Sequence, residues 1–375
     1  MLLGEYMGRP TYKFLQTIGE GSQSICRRAY QDVLGVDVVQ KTVSTFGSPE
    51  SAVRANEPAL LHRIKHDRIV RVQEAQWDPD PDLAKIKAIT FVMPYYPEGS
   101  VYDSLVTDHR FSVRDTIQVA GDILAALHVM HVTHGLIHRD VKPSNILLES
   151  NRGRAVLADL GGAAFIDPAT GGSATSVGSD LYRAPEARPS GLTTVAGDLF
   201  AVGVVMLEML NGRFPYETID DNDVVRRLAV GRRALADRWY EPAPWIPGPL
   251  SALIRSLCHR DPRRRPADAA SALTQLLKLR VVDWHHPTGD ALTGTWIGYW
   301  PPQARRTAQR ITEVTIAPII RSPHHGKLHA TTRWRRTTSQ WRNYAKLSER
   351  LANDRSAVSA YFTKVDRVAQ SAPAA

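Results

Sequence analysis

The amino-acid sequence predicts an α+β fold with two lobes, a β-rich lobe first and a larger helical lobe after it, followed by a small β-rich C-terminal module. Three observations support this prediction. Short β-type segments separated by glycine turns come first, segments with apolar residues at helical spacing follow, and the charge and tryptophan content change near residue 282. A chain of 375 residues is long enough for one large domain and one smaller one.

The β-rich lobe is predicted at about residues 12–93. Residues 12–15, 25–30 and 36–43 are β-type segments with glycine turns between them. A Ser-Pro-Glu sequence at 48–50 predicts the start of a helix, because serine caps helices, proline suits the first helical position and an acid is favourable in the first turn.

The helical lobe is predicted at about residues 97–280. Residues 116–130 have apolar side chains at helical spacing, and residues 196–210 form a strongly apolar helical segment. A short apolar strand is expected at residues 155–158. The two lobes together make one domain that spans residues 12–280.

A basic module is predicted after this domain. The net charge of the chain is +9, and residues from 281 onward contain 14 Lys and Arg against 6 Asp and Glu, together with five of the eight tryptophans. We therefore place the module at residues 284–368 and expect a disordered tail at 369–375. Its expected elements are strands at 292–300, 311–316 and 327–334, and a helix with the stripe Trp341, Tyr344, Leu347 and Leu351.

The basic face of this module suits nucleic acid, an anionic ligand or an acidic partner, and a solvated face with no ligand is the alternative. Other features of the chain exclude several classes. Cys26 and Cys258 lie far apart with no CxxC spacing, which argues against a disulfide framework or a structural zinc site. The longest apolar stretch, residues 200–207, is far shorter than the roughly 20 residues that span a bilayer. We expect a cytoplasmic protein with no membrane span.

A glycine-rich loop lies between the first two predicted strands. Glycine lets a backbone approach a phosphate closely because no Cβ intervenes. By itself such a loop is better explained as an ordinary hairpin turn. The loop comprises Gly19, Glu20, Gly21, Ser22, Gln23 and Ser24.

Later segments have the groups that phosphoryl transfer requires, namely positioned carboxylates and cations that neutralise charge. The sequence His-Arg-Asp-Val-Lys-Pro-Ser-Asn at 138–145 contains a carboxylate at Asp140, an ammonium at Lys142 and an amide at Asn145. A second carboxylate, Asp159, follows the predicted strand at 155–158 in an Asp-Leu-Gly sequence.

These motifs resemble the eukaryotic-like serine/threonine protein kinase family over residues 12–280. Residues 138–145 match its HRDxKPxN catalytic loop without a gap, residues 159–161 resemble its DFG motif, and Val38-Val39-Gln40-Lys41 resembles its VAIK motif. The resemblance implies a bilobal protein kinase fold and transfer of the γ-phosphate of ATP to serine or threonine of protein substrates that the sequence does not name. It implies ATP and Mg²⁺ as cofactors, with Mn²⁺ as an alternative metal.

The resemblance also implies roles for the residues of the catalytic loop. Asp140 would accept or orient the proton of the substrate hydroxyl, and Lys142 would neutralise charge on the γ-phosphate. Asn145 and Asp159 would bind the metal ion. A lysine two residues after Asp140 is the family's mark of serine/threonine specificity.

The nucleotide pocket is implied in the same way. Lys41 would contact the α- and β-phosphates and pair with Glu57 on the following helix, although Pro58 disfavours helical geometry at Glu57. Ser24 replaces the third glycine of the family's loop. The residues implied around the adenine are Cys26, Val39, Met93, Tyr96 and Leu147.

A Gly-Ser-Asp-Leu-Tyr-Arg-Ala-Pro-Glu sequence at 178–186 resembles the family's substrate-binding segment. The resemblance implies a buried ion pair between Glu186 and Arg265, and it implies that Asp198 holds the backbone of the catalytic loop. Arg139 is expected to bind a phosphate that the enzyme places on its own loop. The candidate loop residues are the acceptors Ser173, Thr175 and Ser176, and Ser179, which should contact Asp140 and Lys142.

Two alternatives remain at this point. Ser24 and Pro58 raise the hypothesis of a pseudokinase scaffold, against which the complete set Lys41, Asp140, Asn145 and Asp159 argues. The charge of the C-terminal module raises the hypothesis of a regulator that binds nucleic acid or another anionic ligand.

Overall fold

The computed structural model describes residues 12–371, apart from 22–23, 45–55, 79, 81, 84–86, 150–152, 175–177, 286, 291, 301–309, 321–322 and 338. The chain forms a β-sheet lobe, a helical lobe and a β-rich C-terminal module, so the predicted fold class is confirmed.

A five-stranded antiparallel sheet of order β1-β2-β3-β5-β4 forms the first lobe. Its strands are β1 (Tyr12–Gly21), β2 (Ser24–Gln31), β3 (Val36–Ser44), β4 (Glu74–Trp77) and β5 (Ala88–Pro94). Lys41 on β3 lies opposite Cys26 on β2 and Phe91 on β5. Because side chains alternate along a strand, Lys41 shares a face with Val39 and Val43, which belong to the main hydrophobic core.

Helix α1 (Glu57–Arg63) completes this lobe. Pro58 lies in its first turn, where the backbone N–H of a helix has no acceptor, so the proline is tolerated. The helix start predicted at residues 48–50 lies outside the described residues.

The second lobe is helical and packs around one strongly apolar helix. Its helices are α2 (Val101–Val106), α3 (Val113–His128), α4 (Ala187–Ser190), α5 (Val195–Asn211), α6 (Asp221–Ala229), α7 (Gly248–Leu257) and α8 (Ala269–Leu277). Helix α5 is buried on almost all sides, as expected for a helix that is apolar all round. A Cβ at Gly203 would lie 2.7 Å from the Sγ of Cys258, so glycine allows α5 to approach α7 closely.

Short strands connect these helices and shape the loops that face the first lobe. They are β6 (Leu136–Ile137), β7 (Ile146–Leu148), β8 (Ala155–Leu157), β9 (Ala164–Phe165), β10 (Gly172–Ala174) and β11 (Leu192–Thr194). The pairs β6–β9, β7–β8 and β10–β11 are antiparallel, and they hold residues 138–145 and 159–174 against the helical lobe.

The C-terminal module is an antiparallel sheet covered by one helix. Its elements are β12 (Asp283–Trp284), β13 (Gly294–Tyr299), β14 (Arg310–Pro318), β15 (Leu328–Arg336), β16 (Arg342–Asn343), β17 (Glu349–Leu351) and α9 (Arg355–Ser371). The rings of Trp284 and Trp296 on the sheet meet that of Phe362 on α9 edge-on, with centroids 5.3 and 5.1 Å apart. These tryptophans therefore belong to the core of the module.

The helix predicted on the stripe from Trp341 to Leu351 is wrong. That segment forms β16 and β17, both of which pair with the long strand β15, because β15 offers more edge than one short strand can cover. Leu347 and Leu351 are buried against the sheet instead of on a helix. The helix comes later, as α9, and extends to Ser371, into the tail at 369–375 for which we expected disorder.

The module packs directly on the helical lobe. The backbone N–H of Arg114, in the first turn of α3, donates to Asp283 Oδ1 at 2.8 Å. The Arg355 guanidinium donates to the carbonyl of Pro242 at 2.9 Å. Val282 and Trp284 are fully buried and belong to the same hydrophobic cluster as the helical lobe. In the described part of the chain, no helix has both the length and the apolar character needed to cross a membrane.

A buried acid in the module should make its stability depend on pH. Asp366 on α9 is only 9% exposed and accepts a hydrogen bond from Trp284 Nε1 at 3.1 Å. Burial raises the pKa of Asp366 to about 7, against about 3.9 for an unfolded chain. Between about pH 4 and pH 7 the folded state therefore binds a proton that the unfolded state does not bind, and the free energy of unfolding falls as the pH rises toward 7.

Asp366→Asn tests this dependence, because the asparagine side chain stays neutral. By calorimetry, the variant should have a higher melting temperature than the wild type at pH 8 and the same melting temperature at pH 4. A melting difference that does not change with pH would contradict this.

Candidate active site

A cleft of about 650 Å³ lies between the sheet of the first lobe and the helical lobe. Strands β1, β2, β3 and β5 form one wall, and the loops around β7 and β8 form the other. Of the residues implied by the sequence for nucleotide binding, the cleft is lined by Gly19, Ser24, Cys26, Val39, Lys41, Met93, Tyr96 and Leu147, and also by Glu57, Asn145 and Asp159. Glu20 and Gly21 end β1 beside the cleft, and Ser22 and Gln23 lie outside the described residues.

One ammonium is shared by two carboxylates at the back of the cleft. Lys41 Nζ lies 2.9 and 3.0 Å from the carboxylate oxygens of Glu57 and 2.8 Å from Asp159 Oδ1. Lys41 and Glu57 are almost fully buried. The pairing of Glu57 thus forms in spite of Pro58, because the proline lies in the first turn of α1.

The charges of this group shift its pKa values in opposite directions. Burial raises the pKa of Glu57 to about 7, with Lys41 lowering it and the nearby Asp159 raising it. For Asp159, burial opposes ionisation, but the Lys41 ammonium outweighs it and holds the pKa well below its usual range. Asp159 is therefore an anion at neutral pH and is available to a cation.

The side chain of Asp140 is held by three donors. Its Oδ2 accepts hydrogen bonds from Lys142 Nζ at 2.7 Å and from Asn145 Nδ2 at 3.1 Å. Its Oδ1 accepts a hydrogen bond from the backbone N–H of Ser179 at 2.8 Å. The expected contact of Ser179 with Asp140 is therefore made by the backbone. The carboxylate is fixed at the mouth of the cleft, where residues 138–145 and 178–183 meet.

A glycine makes this meeting possible. Gly178 has a φ of +105°, and a Cβ there would lie 2.3 Å from the carbonyl oxygen of Arg139. A larger residue at 178 would push the following N–H of Ser179 away from Asp140.

The backbone of the catalytic loop is anchored to α5 by Asp198. This fully buried carboxylate accepts hydrogen bonds from the backbone N–H groups of His138 at 2.8 Å and Arg139 at 2.9 Å. It also bonds to Nε2 of His131 at 2.8 Å. Burial alone would raise the pKa of Asp198, but the hydrogen bonds with His131 and with the loop backbone lower this pKa by a larger amount. The pKa of Asp198 is therefore below its usual value.

His131 was missed by the sequence analysis. It lies in a π-helical turn, residues 129–133, that continues α3 beyond its end at His128. The apolar periodicity predicted a plain helix through residue 130, and nothing in the pattern indicates a turn that points an imidazole toward residue 198.

Arg139 binds the segment that follows Asp159. Its guanidinium donates to the carbonyls of Gly162 and Ala174, the latter at 2.8 Å, and lies 3.4 Å from Ser173 Oγ. Strand β10, which contains Ser173, pairs with β11 ahead of α5. Thr175 and Ser176 lie outside the described residues.

Glu186 and Arg265 form a bidentate ion pair. The guanidinium nitrogens of Arg265 donate to the two carboxylate oxygens of Glu186 at 2.6 and 2.7 Å, and the Arg265 side chain is fully buried. Arg265 also donates to the carbonyls of Ala196 and His259. This pair joins the segment at 178–186 to the base of the helical lobe.

A family model for the protein kinase domain matches residues 12–279. The chain belongs to the protein kinase family. Among its curated relatives, the probable serine/threonine-protein kinase pknA2 of Bifidobacterium longum is 26% identical over 337 residues, which cover 82% of this chain and 42% of the relative.

Two further relatives give the same picture. Serine/threonine-protein kinase PksC of Streptomyces coelicolor is 28% identical over 290 residues, covering 74% of this chain and 51% of the relative. Serine/threonine-protein kinase STK11 of Rattus norvegicus is 25% identical over 333 residues, covering 86% of this chain and 68% of the relative. The chain spans about half the length of the two bacterial relatives.

Removing Arg265 should destabilise this kinase. Deleting one partner of a buried ion pair typically costs about 3–5 kcal/mol, because the other charge is left without its partner. Arg265→Ala should therefore lower the melting temperature clearly, as measured by calorimetry. Arg263→Ala is the matched control, because its side chain is 87% exposed and should cost little. Equal melting temperatures for the two variants would show that the Glu186 pair contributes no stability.

Proposed function

We propose that this protein is a serine/threonine protein kinase, which transfers the γ-phosphate of ATP to hydroxyl groups of protein substrates. The observation that supports it most is the arrangement around Asp140. This carboxylate is fixed by Lys142, Asn145 and the backbone of Ser179, beside a cleft with an ion-paired lysine at its back. The names of the relatives, both bacterial and animal, favour the same activity.

The residues of the cleft suit ATP with a divalent metal ion. A volume of about 650 Å³ falls within the range of small-molecule pockets. Asn145 uses its amide nitrogen on Asp140, which leaves its amide oxygen for a metal, and Asp159 is ionised at neutral pH. Amide and carboxylate oxygens are ligands that Mg²⁺ and Mn²⁺ both accept. When bound, the metal nucleotide supplies the phosphoryl group and part of the charge neutralisation.

Each residue then has a defined task. Asp140 orients the attacking hydroxyl of the substrate and accepts its proton at a carboxylate oxygen. Lys142, 2.7 Å from Asp140, brings a positive charge to the place where the hydroxyl and the phosphate meet. Lys41 is held by Glu57 so that its ammonium faces the cleft and binds phosphate oxygens. Since these groups are already positioned, little reorganisation is needed for the reaction.

The pseudokinase hypothesis loses part of its basis. It depended on Ser24 and Pro58, and the ion pair of Lys41 with Glu57 forms with Pro58 in place.

We extend the proposal to a signalling enzyme of the cytoplasm. Cys26 and Cys258 are free thiols, which suits a reducing compartment.

The direct test is transfer from radiolabelled ATP with Mg²⁺ to a generic protein substrate. Asp140→Asn should lower the initial rate about 100-fold or more, since it removes the proton acceptor. Lys41→Met and Asp159→Ala should abolish transfer. Asp223→Asn, on the exposed side of α6, is the matched control and should keep the wild-type rate. Phosphoamino-acid analysis should find phosphoserine or phosphothreonine.

The proposal fails if Asp140→Asn keeps a rate within tenfold of the wild type while its melting temperature is unchanged. Phosphotyrosine as the main product would preserve the kinase activity but overturn the serine/threonine specificity.

We also propose that the enzyme phosphorylates its own loop and gains activity from it. Ser173 Oγ lies 3.4 Å from Nη1 of Arg139, so a phosphate on this segment would have a guanidinium within reach. Simultaneous replacement by alanine of Ser173, Thr175 and Ser176 should abolish the increase in rate that the wild type shows after preincubation with ATP. Mass spectrometry should find phosphate in residues 159–186 of the wild type alone. An equal rise in rate in both proteins would place the control elsewhere.

A further inference from the structure

Two guanidinium groups share one carboxylate beside the catalytic loop. Arg183 Nε donates to Asp180 Oδ1 at 2.7 Å, and Arg188 Nη2 donates to Oδ1 and Oδ2 of the same carboxylate at 3.0 and 2.9 Å. Burial alone would raise the pKa of Asp180, but the hydrogen bonds from the two arginines outweigh it and hold this pKa below its usual value. The carboxylate is therefore ionised at neutral pH. We call these three residues the arginine–aspartate cluster, and two positive charges against one negative charge leave it a net charge of +1.

This cluster lies where the hydroxyl of a substrate must approach. Asp180 directly follows Ser179, whose backbone N–H lies 2.8 Å from Asp140 Oδ1. Arg183 also donates to the carbonyl of Gly178 at 2.8 Å, and it lines the same small cavity as Asp140 and Ser179. Consecutive Cα atoms of a substrate are about 3.8 Å apart. A residue next to the phosphorylated serine or threonine therefore has its side chain within reach of the cluster.

Arg188 is the member of the cluster that is open to a ligand. Its side chain is 41% exposed, whereas that of Arg183 is 8% exposed. Arg188 uses only Nη2 on Asp180, and among the described residues its Nε and Nη1 have no hydrogen-bond acceptor. A guanidinium with unused N–H groups can accept a further carboxylate through charge-assisted hydrogen bonds.

The buried acid on the other side of this segment is closed to a basic side chain. Glu208 on α5 is fully buried. Its Oε1 accepts hydrogen bonds from the backbone N–H of Phe214 at 3.1 Å and from the Tyr216 hydroxyl at 2.7 Å, and its Oε2 accepts one from the Tyr182 hydroxyl at 2.6 Å. These three donors occupy both oxygens, so Glu208 has no free position for an ammonium or guanidinium of a substrate.

The other carboxylates next to this segment are occupied as well. In the part of the chain that the structure describes, the carboxylates that bond to residues 178–183 are those of Asp140, Asp180 and Glu208. Asp140 is held by three donors and faces the reacting hydroxyl, and Asp180 is shared by two arginines. The surface around the phosphorylated residue thus offers a positive charge and no free negative one.

We propose that this kinase prefers protein substrates in which the residue next to the phosphorylated serine or threonine is acidic, and that Arg188 recognises this residue. Arginine pairs with a carboxylate through two parallel N–H donors, and such a pair has a defined geometry. A basic residue at the same place would be repelled by the net charge of the cluster, and like charges brought together oppose binding. The proposal rests on the proposed kinase activity and specifies its substrate class.

The test uses the full chain with ATP and Mg²⁺ and three peptides that differ only in the residues flanking one serine. These residues are Glu, Gln or Lys. The value of kcat/KM should be about fivefold higher for the Glu peptide than for the Gln peptide, which is the effect of one unit charge at about 4 Å in water. It should be lowest for the Lys peptide. The preference should shrink as the salt concentration rises, because ions screen exposed charges.

Arg188→Gln should reduce the ratio of kcat/KM between the Glu and Gln peptides to about one, because the excess charge of the cluster is removed. Arg188→Lys keeps the charge and should retain part of the preference. Arg333→Gln is the matched control. Arg333 is 45% exposed and paired with Glu313 on the C-terminal sheet, so this variant should keep the ratio of the wild type. A ratio between two peptides within one variant is not changed by a folding defect that lowers the amount of active enzyme.

Several results would contradict the proposal. Equal kcat/KM for the three peptides, or a preference for the Lys peptide, would overturn the acidic substrate class, and the latter would make Asp180 the specificity residue. A preference for Glu that Arg188→Gln leaves unchanged would overturn the role of Arg188. Transfer to a generic protein but not to the Glu peptide contradicts the substrate class alone. Transfer to neither the peptides nor a generic protein contradicts the kinase activity itself, and the substrate class falls with it.

Discussion

The active site depends on one buried carboxylate. Asp198 is surrounded by the apolar core of α5 and satisfied by two backbone N–H groups of the catalytic loop and by His131. An unpaired carboxylate at this depth would be very costly, so the loop must adopt the conformation that supplies these donors. Arg139 is held in the left-handed region, with a φ of 68°, as a consequence. The position of Asp140 is thus set by a requirement of the core rather than by its own contacts alone.

A second constraint joins the two lobes. Lys41 belongs to the sheet, Glu57 to α1 and Asp159 to the helical lobe, and all three meet within 3.0 Å. One ammonium faces two carboxylates here. Burial raises the pKa of Glu57 to about 7, whereas at Asp159 the Lys41 ammonium outweighs the effect of burial and holds the pKa below its usual range. A bound cation beside Asp159 would relieve this imbalance. The same charges therefore join the sheet, α1 and the helical lobe around one ammonium.

The C-terminal module is continuous with the kinase domain in its packing. Trp284 is buried between α3 and α9, and Asp283 accepts from the first turn of α3. The family match ends at residue 279, but the hydrophobic core continues from the helical lobe into the C-terminal module. A boundary based on composition or on the family match therefore does not mark the end of the hydrophobic core. The buried residues show that the two parts of the chain pack on each other.

The bilobal fold and the main residues of the cleft could be predicted from the sequence, because the order and spacing of Lys41, residues 138–145 and Asp159 are local properties of the chain. The sequence predicted Glu57 as the partner of Lys41, and the structure has this pair. Only the structure showed that Pro58 lies in the first turn of α1, where it does not disrupt the helix. The stripe from Trp341 to Leu351 was predicted as a helix, since its spacing fits one, and it became two strands because β15 offered an open edge. Which edge is free and which imidazole reaches Asp198 depends on residues far apart in sequence, and such contacts are decided only when the chain has packed.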